Sequence, residues 1–191
     1  MASTRRALAQ LQDTASAIYG GKMDRDDARS AVIDAIFERL GCSRVSLWRF
    51  DSAPHDLSLL CFASKAAGGE LVTTESHLLA AEYRDYFDCL VRTGTFVSVD
   101  AMADRCLMPM RESYLLANGI RSILDAAFMV NGRAYGMVCC EQTDTIRRWR
   151  PDETAALRAI VGKLALLMAS AKDAVLWGAP SLPMAPFPLS A

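Results

Sequence analysis

Six cysteines and two histidines are the side chains with the most chemistry in this sequence. The cysteines stand at Cys42, Cys61, Cys89, Cys106 and the adjacent Cys139-Cys140, and no pair has the Cys-x-x-Cys spacing of a zinc site or a dithiol redox centre. Neighbours on a strand point to opposite faces, so Cys139 and Cys140 are badly placed to share one metal. His55 and His77 are too few for a histidine-rich centre. No metal and no resident cofactor is expected. The thiols read as reduced core residues, since a free cysteine packs like a small hydrophobe. The rival reading is a redox enzyme or thiol sensor using Cys89, Cys106 or Cys139, and it needs a thiol of lowered pKa. Arg147, Arg148 and Arg150 beside Trp149 have the composition of a phosphate-binding patch; a solvated loop is the default for such a cluster.

The chain as a whole narrows the field. Its 191 residues, 52% hydrophobic and 23% charged, are enough for one well-buried core and too few for a second full domain. A net charge of −1 gives no field that would gather phosphate backbones, so nucleic acid is not an expected partner. Arg5 and Arg6 near the N-terminus are not followed by an apolar stretch, and no apolar run is long enough to cross a bilayer. A cytoplasmic protein without a membrane segment is the expectation.

Hydrophobic periodicity then places the elements. Leu8, Leu11, Ala15 and Ile18 recur three and four residues apart, predicting a helix over Arg5 to Tyr19 that Gly20-Gly21 stops. Asp24, Asp26 and Asp27 favour a second helix start, and Ala31, Val32, Ala35, Ile36, Phe37 and Leu40 carry it to Gly41. Ser43–Phe50 and Leu57–Ser64 read as strands of a hairpin around Pro54. A helix is predicted over Leu78 to Arg92, a short strand over Phe96 to Val99, and an irregular connection from Asp100 to Pro109. A short helix over Arg111 to Ala117 closes at Asn118-Gly119, a pair suited to a left-handed cap. Strands Arg121–Met129 and Arg133–Gln142 follow, and the final helix begins at Pro151 and runs to about Trp177. The order suits an α+β fold with one antiparallel sheet covered on both sides. Residues 1–22 form an N-terminal helical segment, 23–177 the domain, and 178–191 a proline-rich tail.

Register in the last hairpin decides which residues share a face, because a slip of one residue exchanges the two sides. With a two-residue Asn131-Gly132 turn, Asp125 faces the way of Val138 and Cys140. With a three-residue Val130-Asn131-Gly132 loop it aligns with Met137, Cys139 and Glu141.

Arg111 to Glu153, RESYLLANGIRSILDAAFMVNGRAYGMVCCEQTDTIRRWRPDE, resembles the C-terminal half of a GAF domain of bacterial sensor kinases, diguanylate cyclases and phytochromes. Ile36 to Asp51, IFERLGCSRVSLWRFD, resembles the family's leading helix and first strand. The combination of NGIRS, the G-R-x-x-G hairpin, the CCE strand and W-x-P-D-E carries the likeness, which extends over Asp24 to Lys172. It implies a five- or six-stranded antiparallel sheet with the terminal helices on one face. On the other face the middle helices would cover a pocket, which in family members holds cyclic nucleotides, bilins, haem or small metabolites. The family pattern favours the second register. That choice would gather Arg121, Ile123, Asp125, Cys139 and Glu141 on the pocket side, under Tyr86, Phe87, Leu90, Tyr114 and Asn118. Equally, Arg121, Asp125 and Glu141 could pair only with one another and close the sheet.

The same resemblance argues against two known chemistries of the family. Met110-Arg111 stands where one bilin-binding branch has its Cys-His pair, Cys106 is followed by Leu107, and no Asp-Ile-Pro precedes the short helix. No glycine-rich run like that of the free methionine sulfoxide reductases surrounds Cys89 or Cys106. The resemblance therefore implies a non-catalytic sensory or regulatory domain of bacterial signal transduction, of the kind found in two-component systems. Such a domain binds an unknown small-molecule ligand or a signalling partner and relays through its terminal helices. No output segment follows the domain in this sequence, so the partner is expected in trans, or in cis if the sequence is part of a longer chain. The matched stripes on the first and last helices suggest a homodimer.

Overall fold

The computed structural model describes residues 2–53, 56–73, 76–130 and 133–170. Helices α1 (Ala2–Tyr19) and α2 (Arg25–Leu40) lead into strands β1 (Arg44–Ala53), β2 (Asp56–Ala66) and β3 (Ser76–Leu79). Helix α3 (Arg84–Thr93) and strand β4 (Thr95–Ser98) follow, then a 3-10 segment Arg105–Met110 that runs into a π-helical turn Arg111–Leu116. Strands β5 (Ile120–Val130) and β6 (Arg133–Thr143) and helix α4 (Pro151–Ser170) complete the described chain. The sheet runs β3-β2-β1-β6-β5-β4, every neighbouring pair antiparallel, so β1 and β6 lie at its centre although 80 residues or more of sequence separate their paired positions. This is the expected α+β sandwich.

Alternation along the strands builds two cores. Val45, Leu47, Leu124, Ala126, Val138 and Cys140 face the terminal helices and pack with Val32 and Ile36 of α2 and Leu157, Ile160 and Leu164 of α4. Their sequence neighbours Trp48, Ile123, Met137 and Cys139 face the other way, against Tyr86, Phe87 and Leu90 of α3 and Leu107, Met110 and Leu115 of the two turns. Each fully buried Leu or Ile contributes roughly 1.5–3 kcal/mol by leaving water, so both layers are needed to hold the sheet. The stripe of α1 is spent within the chain: Ala7 and Leu11 are buried in the terminal-helix core, and Arg6 pairs with Glu38 at 3.3 Å.

Capping explains the helix limits. Asp24 Oδ1 accepts the Asp27 N–H at 2.8 Å, and Gly41, at φ 57°, returns its own N–H to Phe37 O at 2.8 Å. Arg150 is a weak N-cap by type, and Glu153 compensates by reaching back to accept the Arg150 backbone N–H at 2.8 Å. Arg147 is a half-buried clamp rather than part of a solvated loop. Its guanidinium donates to Leu40 O, to Gly41 O at 2.9 Å and to Glu153 Oε1 at 2.8 Å, and it stacks 4.4 Å from the Trp149 ring centroid.

Three expectations change. Leu78 and Leu79 do not begin α3; Ser76–Leu79 pairs with β2 from Ser58↔Leu79 to Cys61↔Ser76, and the helix starts only at Arg84. A free sheet edge offered backbone partners that helical periodicity could not reveal. Within the connection from Asp100 to Pro109, Asp104 caps a 3-10 segment by accepting the Cys106 N–H at 3.0 Å. In the last hairpin, Val130 pairs with Arg133, the spacing of a two-residue turn, yet Asp125 still faces Cys139. The extra residue is Tyr135, bulged where Phe128↔Gly136 gives way to Met129↔Ala134, and it restores the face that the longer loop would have given. Asn131, Gly132 and the stretch expected to continue the last helix to Trp177 lie outside the described residues, as does the 178–191 tail.

Candidate functional site

Pairing across β1, β6 and β5 brings distant residues to one place. Arg44 lies opposite Glu141, Ser46 and Asp125 both lie opposite Cys139, and Ile123 lies opposite Glu141. Side chains at paired positions share a face, so Arg44, Ser46, Trp48, Ile123, Asp125, Met137, Cys139 and Glu141 all point toward α3 and the π-helical turn. Asp125 is 1% exposed and Glu141 0%. Each carboxyl takes one phenol: Tyr86 Oη donates to Asp125 Oδ2 at 2.7 Å, and Tyr114 Oη donates to Glu141 Oε1 at 2.6 Å. Arg44 Nη1 sits 3.2 Å from Glu141 Oε2 and 3.4 Å from the Tyr114 hydroxyl oxygen. Trp48 Nε1 donates to Ser46 Oγ at 2.8 Å.

The electrostatics are unbalanced. Two carboxyls share one guanidinium, and Arg44 reaches only Glu141. Burial raises the Asp125 pKa to about 7; hydrogen bonds from Cys139 and Tyr86 pull it down, and the nearby Glu141 adds to the rise. Burial also raises Glu141, held back by Arg44, Tyr114 and Cys139. The Cys139 thiol, wedged between both carboxyls, is raised well above its ordinary value by burial and then by Asp125 and Glu141. Burial raises Cys61 to about 11 and Cys140 well above the usual range, and it also raises Cys106. Thiols held protonated in this way are poor nucleophiles and poor redox centres.

The residues read from the sequence divide into three groups. Tyr86, Tyr114, Ile123, Asp125, Cys139 and Glu141 line one small cavity with Trp48, Leu78, Leu107, Met110 and Met137. Phe87 and Leu90 back it without lining it; the Phe87 ring meets Tyr86 edge-on at 5.9 Å and Phe50 at 6.4 Å. Asn118 and Arg121 lie elsewhere. Asn118 is exposed and donates to Tyr114 O at 2.8 Å. Arg121 is the bulged residue between Ile120 and Ser122 of β5 and stands 3.8 Å from Asp100. It lines an open surface groove of about 260 Å³ with Met102, Leu115, Leu116, Gly119 and Ile120. The arginine of the buried cluster is therefore Arg44, not Arg121. Its signal was present in the alternation Arg44, Ser46, Trp48 of the first strand.

The GAF domain family model matches residues 24–168. The chain belongs to the GAF domain family. None of the curated proteins matches it. Among solved structures, it is similar to the phycocyanobilin-bound GAF domain of a cyanobacterial phytochrome, with TM-score 0.66 and 20% identity over 87% of this chain and 93% of that one. The Thermosynechococcus elongatus PixJ GAF domain in its blue-light-absorbing form gives TM-score 0.61 and 15% identity, over 88% of each chain. The Stigmatella aurantiaca phytochrome photosensory core gives TM-score 0.65 and 16% identity, over 87% of this chain and 35% of that one. At such identities the likeness is one of fold.

A bilin does not fit this GAF domain as folded. The cavity is about 10 Å³, against a lower bound of roughly 300 Å³ for small-molecule sites. Its walls are filled by Trp48, Leu107, Met110 and Met137, and its charged groups are two buried carboxyls whose phenol partners are already engaged, an environment that repels an acidic pigment.

Proposed function

We propose that this GAF domain is a non-catalytic regulatory module of bacterial signal transduction, with a small-ligand site at the Asp125–Glu141 cluster and an output through the terminal helices. The observation that carries the reading is the unbalanced pair of buried carboxyls beneath α3 and the π-helical turn, a place where occupancy changes a large local energy. A path for the relay is built into the strands. Asp125 and Cys139 alternate with Leu124, Ala126, Val138 and Cys140, which pack on the same core as α4. A ligand biases such a device only through unequal affinity for two arrangements. Raised thiol pKa values argue against the redox alternative at Cys106 and Cys139. A cytoplasmic setting, a signalling protein as partner and association with a second copy extend the reading; the last would use the outer side of α4, where Leu166 is 68% exposed.

Hydrogen exchange tests the relay. Asp125→Asn, which removes the buried charge, is expected to change amide protection in α4 and α1. Protection changes confined to β5, β6 and α3 would overturn it.

A further inference from the structure

The cluster's hydrogen-bonding groups, counted one by one, point to the kind of ligand it takes, and this assignment rests on the ligand-side reading above. The strong side-chain donors that line the cavity are engaged, Tyr86 with Asp125, Tyr114 with Glu141 and Trp48 with Ser46, and Arg44 beside them lies against Glu141. Two acceptors are not. Asp125 Oδ1 and Glu141 Oε2 are both buried and receive no N–H or O–H hydrogen bond; the Arg44 ion pair at Glu141 Oε2 lacks hydrogen-bond alignment. Cys139 has one weak S–H between two carboxyls and cannot satisfy both. A ligand that fits must therefore bring donors and a positive charge. With Asp125 ionised, an anion would meet two carboxylates with no free donor to receive it, and a neutral acceptor would find no strong donor.

We propose that the cluster binds a compact organic cation, a primary ammonium or an amidinium, whose N–H groups donate to Asp125 Oδ1 and Glu141 Oε2. The walls suit it. Trp48, Tyr86 and Tyr114 line the space, and the Met137 thioether lies beside them, its Sδ 3.2 Å from Tyr86 Oη. A space of about 10 Å³ is at the lower limit for one water-sized head, so an ammonium enters with the least rearrangement. The ligand's carbon body displaces Leu78 of edge strand β3 and Leu107 and Met110 of the 3-10 segment. The cation also supplies the charge that Asp125 lacks, so binding at neutral pH ejects the Asp125 proton.

Nuclear magnetic resonance of the full chain, titrated at pH 8 with methylammonium, propylammonium or acetamidinium chloride, tests this. The Trp48 indole and the Asp125, Cys139 and Glu141 amides are expected to shift, with half-saturation at about 1 mM. Tetramethylammonium, which has the charge without the donors, and propionate are expected to leave them in place. Asp125→Asn should weaken binding on the order of 30-fold. The pH dependence of wild-type binding is an independent check: affinity must fall by about tenfold per pH unit below pH 7, as protons compete for Asp125. The proposal is overturned if no probe shifts these signals, if Asp125→Asn binds as tightly, or if affinity is flat from pH 8 to pH 6. Propionate acting where the amines fail overturns the cation and leaves the ligand-side reading standing; unchanged α4 protection in Asp125→Asn strikes the relay alone.

Discussion

Replacing Asp125 by asparagine should stabilise this protein at alkaline pH and do almost nothing in acid. Asparagine keeps the shape and can still accept the Tyr86 hydroxyl, which lies 2.7 Å from Oδ2, but it cannot ionise. In the native fold Asp125 titrates at about 7, against 3.8 for an unperturbed aspartate, because burial beneath Tyr86, Tyr114, Cys139 and Glu141 withholds solvation from the charge. Between those two values the folded chain holds a proton that the unfolded chain has lost, so stability falls as pH rises through the window and levels off above pH 7. At ~1.4 kcal/mol for each pH unit, the ionised side chain costs the fold as much as ~4 kcal/mol at pH 8. Urea denaturation of both proteins at pH 4.5, 6, 7 and 8, followed by far-ultraviolet circular dichroism, gives the difference directly. Asp125→Asn should match the wild type at the lowest pH and exceed it by a margin that grows to about 2–4 kcal/mol. Glu141, also raised by burial, is present in both proteins and cancels. Parallel stability profiles across the whole range would refute the reasoning.

Other changes probe the remaining contacts. Tyr86→Phe removes the phenol that favours the charged form of Asp125, so carbon-13 carboxyl spectra should show Asp125 titrating above 7, with a stability loss of roughly 1–3 kcal/mol. Arg44→Met leaves Glu141 buried without its cation; urea unfolding at pH 8 should show a loss of about 3 kcal/mol, largely recovered when Glu141→Gln is added. Gly94 caps α3 at φ 71° and its N–H bonds to Leu90 O at 2.9 Å, so Gly94→Ala should lower stability by about 1 kcal/mol in thermal melts.

Most of the architecture was legible because local pattern and tertiary need agree in it. Periodicity gives α1, α2 and α4, Asp24 and Gly41 mark the ends of α2, and alternation gives β1, β2, β5 and β6. The exception at β3 is physical: Leu78 and Leu79 belong by spacing to the amphipathic run of α3, and only pairing with Ser58 and Leu59 makes them a strand. Of the site, the hairpin alone allowed two registers, and only the family resemblance placed Ile123, Asp125, Cys139 and Glu141 on one face beneath Tyr86 and Tyr114; the Tyr135 bulge that makes this true has no signal in the spacing. Arg44 was missed because its meeting with Glu141 depends on the register of β1 against β6, a contact across 97 positions that no local spacing encodes. Arg121 was misplaced because a bulge at the start of β5 turns it out of the alternation. The unmatched charge could be seen only once burial was known.

Arg147 has a mechanical consequence. By binding the last carbonyls of α2 and the Glu153 carboxylate in the first turn of α4, and by lying on Trp149, it fastens the tail of one helix to the head of another. The Arg147 backbone N–H donates to Ser122 Oγ at 2.7 Å, which pins the joint to β5 as well. One side chain and its own backbone thus tie three elements at a single joint, the end of α2, the first turn of α4 and the strand that carries Asp125, and losing Arg147 would loosen all three at once.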